Sequence, residues 1–291
     1  MTVQDVSDHF NISWGTVKQM DKEYLQRYYS KPVLKGVEYI AIDEFAIQKG
    51  HRYQTVVYDL KVGRVIYIGA GRAEESLDGF WKRLIPSGAQ IKGVAMDMWV
   101  PYYNAVMEHL PDARIVFDRF HIMKKMNEVL DEVRRSLYRD EVDLNKRDVI
   151  KGLRWLLLKN ATNLRDENEE KQRLKEALEM NQPLAESYYL KEDLSQLWQQ
   201  NNRQEAEKFL TSWTTRAWAT TIQPLRGFVK MLLGHRTGIL NWFEHRISTG
   251  PLEGFNNKIK VLKRRAYGYR DMEYFNLKIY ALHENRYGLL R

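Results

Sequence analysis

The sequence predicts an α/β fold, a mixed sheet with parallel members, interrupted by a long all-α insertion and preceded by a pair of short helices. Three observations carry this. Between Tyr39 and Phe117, short β-branched and aromatic runs alternate with amphipathic stretches. From residue 119 to about 247, charged segments of helical period follow one another with few strand formers. Beyond them, Gly250–Arg265 reads as a two-faced helix returning to the sheet. With 291 residues, 44% of them hydrophobic, the chain can bury a real core.

Taken in order, residues 3–29 resemble part of a helix-turn-helix. Val6 and Phe10 make a short apolar face, Asn11 tolerates positive φ in the turn, and Ser13 caps a second helix through Val17, Met20 and Leu25. That helix would offer Trp14, Thr16, Lys18 and Gln19 to a major groove, although the same pattern occurs in proteins that never touch DNA. Next, Tyr39–Ile42 is an apolar strand ending in Asp43, and Tyr53–Leu60 and Val65–Ile68 form a hairpin about Lys61-Val62-Gly63. A helix over Ala73–Leu84 precedes a second buried strand, Ile91–Met96, ending in Asp97. Helix Tyr102–His109 and strand Arg114–Phe117 follow.

Helices are then expected over Ile122–Arg139, Val149–Lys159, Glu169–Met180, Leu184–Gln199, Gln204–Ala217, Leu225–Leu233 and Ile239–Arg246, and a last one over Arg270–Leu290. The helix opening at Thr249-Gly250-Pro251 carries Phe255, Ile259 and Leu262 on its apolar stripe and Glu253, Asn257, Lys260 and Arg264 on the opposite face. The expected domains are 1–36, a partial helix-turn-helix; 37–118, the first part of the sheet domain; 119–247, the α-helical insertion; and 248–291, the last part of the sheet domain, with the Glu253 helix.

A net charge of +8 favours a polyanionic partner. Zero cysteines exclude disulfides, thiolate metal sites and a cysteine nucleophile. No apolar run approaches the roughly 20 residues of a membrane span, and the start lacks the build of a signal peptide. A cytoplasmic, nucleoid-associated protein is expected.

Phosphodiester chemistry needs one oxygen activated and another neutralised together. Two magnesium ions roughly 3.5–4 Å apart achieve this, held by clustered carboxylates. Asp43 and Asp97 at the ends of neighbouring strands would share one crevice, and Glu253 would complete the set. Strand Asp, strand Asp, helix Glu is a ribonuclease H-like order. Each Asp alone is better explained as a turn or cap residue; the two together are less easily dismissed. Glu44 alternates to the other face of its strand, and Asp59 precedes a turn where Asp is ordinary. Arg119, Lys124 and Lys125 read either as phosphate-binding or as a solvated helix face, and His121 either as a ligand or proton carrier or as a structural residue at a helix start; Trp99 and Trp242 read either as base-stacking or as packing residues.

Ala41–Ala46, Val94–Trp99, Phe117–His121 and Ser248–Gly254 with Asn256–Lys260, in this order, resemble the DDE-type transposases of bacterial insertion sequences, in particular the ISL-three family. The resemblance spans roughly residues 38–290. It implies a ribonuclease H-like catalytic domain interrupted by a helical insertion, with Asp43, Asp97 and Glu253 as the metal-binding triad for Mg2+, or Mn2+ in its place. It further implies hydrolysis at the element's ends and attack of the freed 3′-hydroxyls on target DNA. A dimer or larger assembly would bridge the terminal inverted repeats, with Asn257, Lys260 and Arg264 along the DNA backbone. Family members usually carry a cysteine-rich zinc-binding segment and a complete helix-turn-helix upstream, so an N-terminally shortened copy is expected. Two other readings stand beside this one: a nuclease or resolvase that only hydrolyses, and a non-catalytic DNA-binding remnant.

Overall fold

The computed structural model of the chain describes residues 2–48, 52–165 and 169–283. Its first helix, α1 (Val3–Phe10), opens on a reciprocal cap. The Thr2 hydroxyl accepts from the Asp5 N–H, and the Asp5 carboxylate accepts from the Thr2 N–H. Asn11 closes α1 at φ 51°, in the left-handed region. Ser13 then starts α2 (Trp14–Tyr29), its Oγ accepting from the Thr16 N–H at 3.1 Å. Turn and cap fall where the local sequence puts them.

β1 (Tyr39–Gln48), β2 (Arg52–Asp59) and β3 (Arg64–Ala70) form an antiparallel meander. The β2–β3 turn is built by Asp59, whose Oδ1 accepts from the N–H groups of Lys61 and Val62 at 3.0 and 3.2 Å, and by Gly63 at φ 81°. A 3-10 turn, Glu74–Leu77, leads into α3 (Asp78–Ser87), so the helix expected over Ala73–Leu84 starts as a tighter turn and runs longer. After β4 (Gly93–Met96) come α4 (Val100–His109) and β5 (Arg114–Phe117). Among the described residues the sheet has the order β3-β2-β1-β4-β5, with β4 parallel to β1. One expectation is corrected here. β1 does not end at Asp43 but continues to Gln48, because Glu44, Phe45, Ala46 and, past a register shift at Ile47, Gln48 remain paired with β2 after β4 has ended.

The chain divides into two compact units, Met1–Val116 with Ile247–Arg291 and Phe117–Arg246. The second unit is helical: α5 (Arg119–Asp140), α6 (Leu144–Gly152), α7 (Arg154–Leu158), α8 (Glu170–Glu179), α9 (Gln182–Leu194), α10 (Arg203–Ala219), α11 (Gln223–Gly234) and α12 (Arg236–Leu240). The single helix expected over Val149–Lys159 breaks near Gly152 into α6 and α7, and that over Leu184–Gln199 ends in a 3-10 turn from Ser195. Leu130, Val133, Leu156, Leu157, Leu174 and Leu184 close one core of this unit. Beside it, the buried Lys191 ammonium donates to the carbonyls of Leu157 and Lys159 at 2.9 and 2.8 Å, and burial pushes its pKa down.

In the first unit, α13 (Gly250–Arg265) and α14 (Met272–Ala281) cover one face of the sheet. Leu252, Phe255, Ile259, Phe275 and Ile279 pack on Ala41, Phe45, Val56, Tyr58 and Ala95, which alternate onto that side. The opposite face meets α4 through polar contacts as well. The Thr55 hydroxyl bonds those of Ser76 and Tyr102, each at 2.8 Å. Of the helix expected over Arg270–Leu290, residues 272–281 are helical, and residues 284–290 lie outside the described residues. Among the described residues no helix is long and apolar enough to cross a membrane.

Candidate active site

Sheet register brings Asp43 and Asp97 together. Ile42 pairs with Met96 at the last rung of the parallel β1–β4 ladder, so Asp43 and Asp97 are the next residues on adjacent strands, at the carboxyl end of β4. Both belong to the set that alternates with Ala41 and Ala95 toward α13. Asp97 is also a local turn residue, its Oδ1 accepting from the Met98 N–H at 2.6 Å. Glu44 points the other way, toward Arg72 at 4.0 Å.

Helix α13 is placed by its apolar stripe. Leu252, Phe255 and Ile259 are buried, and the Phe255 ring lies 5.5 Å from that of Tyr58. Its far end is tied to β1 by the Lys263 ammonium, which donates to the Ile47 carbonyl. Glu253, half-buried in the first turn, follows Thr249 and Pro251 as the cap signals imply, with its N–H on the Thr249 carbonyl at 2.9 Å. One turn on, Asn256 donates through Nδ2 to Asp43 Oδ2 at 2.8 Å. Asn256 opens the Asn256–Lys260 block that carries the family resemblance, but it was not among the candidate site residues read from the sequence. Its signal was the i, i+3 spacing from Glu253, which shares a helix face as well as i, i+4 does.

Among the described residues, no three His, Asp or Glu side chains sit close enough together to form a ready-made metal site. The chemistry of the donors nevertheless suits a hard cation: two carboxylates on adjacent rungs, a third on the covering helix, and a buried amide oxygen, Asn256 Oδ1, that has no hydrogen-bond partner among the described residues.

The remaining predicted residues fall in different settings. Asn257, Lys260 and Arg264 are exposed along α13, with Lys260 Nζ 3.5 Å from Asn257 Oδ1. Arg264 joins Lys263 and Arg265 in the last turn, where cations complement the helix dipole. Arg119 and His121 lie on the first turn of α5 in the helical unit. There the Arg119 guanidinium stands 5.3 Å above the Trp198 ring and His121 meets the Phe120 ring edge-on. Trp99, two residues beyond Asp97, gives its indole N–H to the Arg72 carbonyl at 2.9 Å, and the Arg72 guanidinium lies between the Trp99 and Tyr53 rings. Trp242 is stacked on Arg246 at 4.1 Å.

Lys18 is committed within the protein. Its ammonium pairs with Asp271 at 3.0 Å, Lys22 pairs with the same carboxylate at 3.2 Å, and Leu25 packs on Tyr274, Leu277 and Ala281. Asp271 also caps α14, accepting from the Tyr274 N–H. That backbone bond, followed by the two lysines, holds its pKa at about 2. A carboxyl depressed in this way stabilises the fold above about pH 4, and the contribution is lost as pH falls through about 2. Asp271→Ala should therefore cost about 1–2 kcal/mol near neutrality, mostly the cap, with a difference that vanishes in acid. Thermal unfolding across pH 2–7 checks this; an equal loss at both ends of the range would refute it.

Comparison with known proteins bears on these positions. The family model DDE_Tnp_ISL3, described as a transposase, matches residues 40–279. A transposase for insertion sequence element IS1001 from Bordetella parapertussis is 43% identical over 282 residues, covering 96% of this chain and 69% of the relative. Transposases for IS1557 from two strains of Mycobacterium tuberculosis are 28% identical over 256 residues, and there the chain spans 56% of the relative's length.

Proposed function

Since the chain belongs to the DDE_Tnp_ISL3 family of transposases, we propose that it cuts DNA at the ends of an insertion sequence and joins the freed 3′-hydroxyls to target DNA. The observation that supports this most is the adjacency of Asp43 and Asp97 at the end of the parallel ladder, with the Glu253 helix bonded to Asp43 through Asn256. In this reading Asp43, Asp97 and Glu253 hold the cation. Magnesium, or manganese in its place, would supply charge neutralisation at the attacking and departing oxygens. The residues of the chain do the rest. The two aspartates, fixed by sheet register, define where the scissile phosphate must lie. Glu253 closes the site from the helix, and Asn257, Lys260 and Arg264 line a positively charged track for the flanking backbone phosphates.

The reaction has two steps. Water attacks phosphorus at the element end, and the bond to the 3′-oxygen breaks. The resulting 3′-hydroxyl then attacks a target phosphate, forming one P–O bond as another breaks. Both ends must be held at once, so the working form is a dimer or larger assembly on double-stranded DNA. A duplex carrying an element end, incubated with the chain and magnesium, should yield a strand ending in a 3′-hydroxyl and, with a second duplex added, a covalent joint. Cleavage without a joint would point to a nuclease that only hydrolyses. Salt-sensitive binding indifferent to magnesium would point to a DNA-binding protein without chemistry.

A further inference from the structure

Asn256 is 8% exposed, at the edge of the buried stripe of α13, three residues from both Glu253 and Ile259. A carboxylate only accepts hydrogen bonds, so the amide nitrogen must be the atom that faces Asp43 and the carbonyl oxygen must point elsewhere. That oxygen is buried without a partner among the described residues. Leaving a buried carbonyl unsatisfied is unfavourable, a cost that an alanine at this position would avoid. The side chain is thus half explained: one end orients Asp43, and the other lacks what it is built to bind.

Resting on the metal-dependent reading above, we propose that Asn256 is a positioning residue of the cation site. Its amide N–H2 fixes the orientation of the Asp43 carboxylate, and its Oδ1 supplies an oxygen acceptor to the cation or its hydration shell. Magnesium keeps several of its waters when protein-bound, so a buried neutral acceptor beside a carboxylate suits its shell. Partners that orient a metal-binding carboxylate are commonly worth 10- to 100-fold in metal affinity.

The test uses the full chain and Mn2+ alone, with free ion read by electron paramagnetic resonance, for the wild type, Asp43→Asn, Asn256→Ala and Asn256→Ser. Both Asn256 variants should bind Mn2+ about tenfold more weakly or worse, with little change in metal-free thermal unfolding. In nicking assays the Mn2+ concentration for half-maximal rate should rise by a similar factor, and saturating metal should restore much of the rate. A purely structural role would lower the unfolding temperature and leave the metal dependence in place; that result overturns the inference. If Asn256→Ala fails to fold, the serine variant, whose hydroxyl is too short to bridge to Asp43, decides. Wild-type affinity unchanged by Asp43→Asn would sink the cation reading itself, and the inference with it. Sensitivity to Asp43→Asn without sensitivity at Asn256 sinks the inference alone.

Discussion

Asp97→Asn should lower magnesium-dependent nicking of a supercoiled plasmid carrying the element by about a thousandfold, which corresponds to about 4 kcal/mol of lost transition-state stabilisation. The substitution is close to isosteric. The amide oxygen of the introduced side chain can still accept from the Met98 N–H, so the turn after β4 stays in place, while the negative charge that would hold a cation disappears. Thermal unfolding and salt-dependent DNA binding should therefore match the wild type, which separates loss of chemistry from loss of fold. Nicking that survives at the wild-type rate would remove Asp97 from the catalytic set. A nick absent from both proteins, alongside ordinary DNA binding, would shift weight to a copy that binds without cutting.

Phe255→Ala should cost about 3–5 kcal/mol, the usual consequence of emptying a large buried aromatic site. Phe255 is 3% exposed, meets the Tyr58 ring, and sits among Ala41, Val56 and Ala95 of the sheet and Ile259 of its own helix. The unfolding midpoint of the sheet-containing unit should fall by about 10 °C. Because Phe255 and Glu253 ride on one helix, the loss should also reach the chemistry: nicking should decline at temperatures well below the new midpoint, as α13 no longer holds Glu253 against the ladder. A variant that melts early but cuts at full rate when cold would show that α13 is held by its other contacts alone.

The parts of this protein legible in the chain are those set by near neighbours. Asn11 and Ser13 mark the turn and cap between α1 and α2, and Asp59 with Gly63 marks the β2–β3 turn. Arg114–Phe117 is a strand with the bounds its composition implies. Each of these depends on hydrogen bonds or φ preferences spanning a few residues. Element lengths were less legible. β1 outruns its apolar stretch because β2 continues to pair with it, and the Val149–Lys159 periodicity hides a break at Gly152 that becomes visible once α6 and α7 pack separately on α5.

The candidate site divides along the same line. That Asp43 and Asp97 each follow a strand-forming run, and that Glu253 opens a helix with one apolar face, is written in the local sequence. That Asp43 and Asp97 occupy adjacent rungs follows from the parallel register of β1 on β4, and that Lys18 is engaged by Asp271 follows from packing of α2 on α14. The Asn256–Asp43 bond joins residues 213 apart in the chain. Caps, turns and periodicity act within one or two turns of backbone, whereas such a bond exists only after α13 has packed against the sheet. Residue types and the local elements carrying them were thus the sequence's own contribution, and their convergence was decided by tertiary burial.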